Sequence, residues 1–107
     1  MSEMAQFMYT LKVTRLGQLT EGPSAEEQAI VARHFAYLQD LTDKGVAILV
    51  GRTQTADADT FGIVLFQAAS EAEAQEIMTH DPAVKNGVMR ARLFPFRIAL
   101  MQSAQHL

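Results

Sequence analysis

Residues 24–51, SAEEQAIVARHFAYLQDLTDKGVAILVG, decide the fold, because they read as a capped helix, a tight turn and a wholly apolar strand. Ser24 and Glu27 have the spacing of a capping box: the serine hydroxyl takes one free backbone N–H and the glutamate reaches back to another. With successive side chains about 100° apart, Ile30, Val31, Phe35, Leu38 and Leu41 fall on one stripe with His34 near its middle. Arg33, Ala36, Asp40 and Lys44 lie opposite. Gly45 tolerates positive φ and ends the helix. Val46 to Val50 then runs without polar alternation, which predicts a strand buried on both faces.

Before this stretch, Phe7, Tyr9, Leu11 and Val13 alternate with Met8, Thr10 and Lys12, the period of a strand with one richer face. Residues 14–23 read as a loop. After it, polar residues 53–59 lead into a third apolar strand, Thr60 to Gln67. Ser70 and Glu73 suggest a second capping box, with Ala74, Ile77 and Met78 on the helix's apolar stripe. That helix must end by Asp81, because Pro82 disfavours the α conformation in the residue before it. Asp81 to Gly87 then reads as a single helical turn with an Asp N-cap, Pro at its first position and Gly as its stop. A last strand is expected from Val88 to about Leu100, with Phe94, Phe96, Ile98 and Leu100 on one face. Pro95, which cannot donate to a ladder, puts this strand at an edge or a bulge.

Strand–helix–strand twice over, with right-handed crossovers, predicts a ferredoxin-like α+β fold: a four-stranded antiparallel sheet with two helices on one face. Strands apolar on both faces need cover on the second face as well, and the chain has no further elements to supply it. A homodimer built through the sheet faces is therefore expected.

A chain of 107 residues is one domain, 1–107, with a frayed tail from about residue 100. There are no cysteines, so neither disulfides nor thiol chemistry enter. The net charge of −3 and the scattered basic residues argue against a nucleic-acid partner. No apolar run approaches the ~20 residues that span a bilayer and no leader pattern opens the chain, so a cytoplasmic location is expected. His34, His80 and His106 show no i, i+4 pairing, and neither a metal site nor a phosphate-binding loop is expected. His80 suits the negative end of a helix, and His106 lies in the tail.

The ordered set His34-x-x-Tyr37-Leu38-x-x-Leu41-x-x-x-Gly45, Gly51, Gly62, Ser70-Glu71-x-x-Ala74, Asp81-Pro82, Gly87-Val88 and Pro95-Phe96 resembles the YciI-like (YCII-related) family over nearly the whole chain. The resemblance implies a dimeric α+β barrel and a histidine–aspartate active-site pair, which here falls on His34 and Asp81. One branch of that family resembles a dehydrochlorinase acting on chlorinated hydroxyquinols.

The residues support the pair independently. An imidazole can take and give a proton near neutral pH, and an adjacent carboxylate fixes its tautomer and steadies its cation. Tyr37, Arg52, Arg90 and Arg92 are candidate substrate-binding residues, the arginines for an anionic group. Each position also has an ordinary reading: His34 as a satisfied core histidine, Asp81 as an N-cap, the arginines as solvated charges. The sequence thus supports a cofactor-free enzyme using His34 and Asp81 on a small, cyclic or phenol-like substrate. The alternative is a ligand-binding or interaction module in which the pair is a structural tie.

Overall fold

The computed structural model describes residues 4–102, and its sheet follows from the alternation read above. β1 (Ala5–Val13) buries Phe7, Tyr9 and Leu11, and β3 (Gly62–Ala68) pairs with it antiparallel, Tyr9 opposite Val64. β4 (Met89–Phe96) pairs with the other side of β1, and β2 (Ala47–Arg52) with the far side of β3. The order β2-β3-β1-β4 makes a four-stranded antiparallel sheet, the ferredoxin-like arrangement. β4 is an edge strand, one of the two places that Pro95 allows.

Four helices connect the strands: α1 (Gly17–Thr20), α2 (Ala25–Asp43), α3 (Glu71–Thr79) and α4 (Pro82–Lys85). Both bonds of the Ser24–Glu27 capping box are present, and Gly45, at φ 77°, closes α2. Ser70 caps α3 by accepting the Glu73 N–H, but Glu73 reaches back to the Ala69 N–H rather than to Ser70, so this box is half made. The core lies between helices and sheet, with Tyr9, Val64 and Phe66 fully buried beneath Leu38, Leu41, Ala74 and Met78.

The structure departs from the expectations in four further places. Residues 14–23 contain α1, which brings the buried Gln18 side chain to the Val88 carbonyl. Phe35 is 67% exposed, because the seam of α2 is Ile30, His34, Leu38 and Leu41 and Phe35 falls on its flank. β2 is buried only at Ala47 within one chain, since it is the outermost strand and its later residues run clear of cover. The last strand stops at Phe96, whose partner Gln6 lies one residue from the start of β1, so there is no ladder beyond. Leu100 is accordingly 94% exposed and shares no face with Phe94. The residues from 103 on, including His106 and most of the expected tail, lie outside the described residues.

On the sheet face away from the helices, the register aligns Phe94, Met8, Leu65 and Leu49 in one row across all four strands. No described helix is long and apolar enough to cross a membrane.

Candidate functional site

Three elements converge on one carboxylate. Asp81 precedes Pro82, whose fixed φ opens α4, so its backbone is extended and its side chain turns in to accept the Ala83 N–H at 3.0 Å. The same Oδ1 lies 2.6 Å from Nδ1 of His34, on the buried seam of α2. Oδ2 accepts the Tyr9 hydroxyl at 2.7 Å, from the centre of β1. Asp81 is fully buried, and an ionised carboxyl group has acceptor places for all three of these partners. Against an ionised Asp81, Nδ1 of His34 is the donor in its bond.

That assignment leaves Nε2 as the free end of the imidazole. Among the described residues Nε2 makes no protein hydrogen bond, yet no buried side-chain nitrogen or oxygen there lacks a partner. Nε2 therefore reaches solvent, consistent with the 11% exposure of the side chain. A neutral ring in this tautomer presents a lone pair outward, and a protonated ring presents an N–H.

The surroundings hold the arrangement in place. The Tyr9 ring packs edge-on against Phe66, with centroids 5.6 Å apart. Burial first, and then the Asp81 charge, push its hydroxyl well above the ordinary tyrosine range, so it stays a donor. The Tyr37 hydroxyl donates to the Ile77 carbonyl at 2.6 Å, pinning α2 to α3. Burial and then the Asp81 charge push that hydroxyl up to about 12.

Of the residues singled out in the sequence, His34 and Asp81 are brought into contact and Tyr37 lies within reach of the Asp81 charge. The arginines are not brought to the pair. Arg52, exposed at the end of β2, lines a concavity of about 370 Å³ with Gly51, Thr53, Phe61 and Ile63. Arg90 and Arg92 pair with Lys12 and Thr10, on the sheet face opposite Tyr9. His80 is exposed at the C-cap of α3, with Nδ1 2.7 Å from the Glu76 carbonyl. Tyr9 was missed: a phenol on the inward face of a strand must find a polar partner when buried, but period alone does not say which. Among the described residues no three His, Cys, Asp or Glu side chains gather as a metal site would need.

The profile described as the YCII-related domain matches residues 8–97. A 5-chloro-2-hydroxyhydroquinone dehydrochlorinase from Burkholderia phenoliruptrix, solved in complex with 2,5-dihydroxybenzoquinone, superposes with a TM-score of 0.61 at 22% identity, covering 85% of this chain and 93% of that one. An uncharacterized protein from Thermotoga maritima superposes with a TM-score of 0.58 at 8% identity, covering 89% of this chain and 100% of that one. At these identities the likeness is one of fold. Among curated proteins, none matches the sequence.

Proposed function

The chain belongs to the YCII-related domain family, and from that premise we propose that it is a cofactor-free small-molecule enzyme using His34 and Asp81 for general acid–base chemistry. The observation that carries this reading is a solvent-reaching Nε2 on an imidazole whose Nδ1 is held by a buried carboxylate. A proton from a substrate O–H or C–H would pass to the Nε2 lone pair. Asp81 would steady the resulting imidazolium, and the proton would then return to the product or leave to water. Tyr9 and the Ala83 N–H hold the carboxylate, so the imidazole is oriented before substrate arrives.

The substrate class we propose is a small cyclic, phenol-like molecule, the kind of ring found in the B. phenoliruptrix dehydrochlorinase complex. Tyr37, its hydroxyl already given to Ile77, would contribute its ring to the wall beside the pair. We further propose a homodimer whose second copy covers the row Phe94, Met8, Leu65 and Leu49, which includes the 46% exposed Leu49.

A binding module is the competing reading, because one buried carboxylate joining β1, α2 and α4 would also serve as a purely structural tie. The test is a panel of hydroxylated and chlorinated six-membered ring compounds, with His34→Gln as control. Turnover by the natural chain that falls roughly 10²–10⁴-fold in a variant of nearly unchanged melting temperature supports proton transfer. Binding without turnover, or turnover untouched by the substitution, supports the module.

A further inference from the structure

We infer that Lys12 and Arg90 form a binding site for a small oxyanion, a carboxylate or phosphate group, on the sheet face away from His34 and beyond the row of Phe94, Met8, Leu65 and Leu49 that the second copy would cover. Lys12 and Arg90 are direct cross-strand partners in the β1–β4 register, and Arg92 follows two residues on, opposite Thr10. Like charges placed directly opposite each other on one sheet face destabilise it. In a chain of net charge −3, this corner gathers three cations, and none has a carboxylate within ion-pair distance among the described residues. Such repulsion is relieved by a bound anion.

A concavity of about 310 Å³ lies at the same corner, and Lys12 and Arg90 both line it. Asp57 also forms part of its wall, its Oδ1 accepting the Asp59 N–H at 2.9 Å, so one carboxylate stands against the two cations and the balance of the wall is positive. Of the hydroxyls there, Thr14 donates to the Gly87 carbonyl, and Thr60 is bonded within its loop to the Thr55 carbonyl. The donors left for a ligand are the ammonium of Lys12 and the guanidinium of Arg90. Arg92 does not line the concavity: its guanidinium rests 4.9 Å above the Phe94 ring centroid and adds only to the positive charge of this face. A compact ammonium beside a planar fork of N–H donors suits an oxyanion, and the volume suits a small one.

The test is an amide NMR titration of the full chain with inorganic phosphate and, separately, with benzoate. Saturable shifts are expected at Lys12, Val13, Thr60 and Arg90, but not at Asp81 or Ala83. Lys12→Gln combined with Arg90→Gln should weaken binding at least about tenfold, whereas Lys85→Gln on α4 should not. Thermal unfolding at low salt gives an independent check: phosphate should raise the melting temperature of the natural chain. Lys12→Gln should raise it without phosphate and abolish the further rise. Absence of saturable shifts, or equal affinity in the double variant, would overturn the inference. So would shifts that follow protein concentration instead of anion, which would assign the cations to a contact between copies.

Discussion

Nδ1 of His34 and Oδ1 of Asp81 lie 2.6 Å apart although 47 positions separate the residues in the chain. The contact exists because α2 carries the imidazole on its buried seam while the extended backbone before Pro82 turns the carboxylate inward. Tyr9 meets that carboxylate from below, so sheet and helices are joined at one polar point inside an apolar core.

Asp81→Asn should keep the cap on Ala83 but replace one acceptor oxygen with an N–H₂ group. With Oδ1 kept for Ala83 and His34, a donor then faces the Tyr9 hydroxyl in a fully buried site. The expected loss is about 1–3 kcal/mol of stability, measured by urea unfolding. Unchanged stability would mean that the three bonds do not converge in solution.

Tyr9→Phe should keep the packing on Phe66 and strip Oδ2 of Asp81 of its partner, again costing about 1–3 kcal/mol. It should also alter the alkaline limb. Above the ordinary tyrosine value of 10.0 the unfolded chain loses this proton while the native chain keeps it, so stability falls as pH rises beyond that point. The Phe variant should lose that part of the slope, and an identical slope would contradict a buried, neutral Tyr9.

Glu27 has the opposite sign. The Arg15 hydrogen bond, and then the Ser24 backbone, hold its carboxyl at about 2 instead of the usual 4.5. Its contribution is present above 4.5 and is lost as pH falls towards 2, the window in which the native chain resists protonation. Glu27→Gln should flatten the stability profile there. A melting-temperature profile parallel to that of the natural chain would show that the Arg15 pair does not form.

Leu49→Asp tests the covered sheet face. Leu49 is exposed in a single chain, so the substitution should change the stability of an isolated chain by no more than about 0.5 kcal/mol. Sedimentation at micromolar concentration should nevertheless show the natural chain as a dimer and the variant as a monomer. A monomeric natural chain would end the argument for a second copy.

Much of the fold was legible because its signals are local. Ser24 with Glu27, Gly45 and Asp81-Pro82 mark helix ends by chemistry within a few residues, and the structure puts the ends there. Pro95 likewise limited the last strand to an edge or a bulge, and β4 is an edge. What failed depended on neighbours distant in sequence. The flank position of Phe35 and the cover over β2 are set by where other elements stop. Tyr9 read as core because its partner is 72 positions away. Arg90 and Arg92 share a face with Phe94, as expected, but that this face turns away from His34 follows from the β1–β4 register, which no periodicity reveals.

Proton transfer through His34 depends on its tautomer, and a long-range proton–nitrogen correlation spectrum of the imidazole at alkaline pH reads it directly. The expected result is a proton on Nδ1, hydrogen-bonded to Asp81, with Nε2 bare and its signal moved by solvent-borne ligands such as phenols. A ring protonated on Nε2, with Nδ1 accepting, would contradict it, since His34 would then have no outward lone pair with which to take a proton.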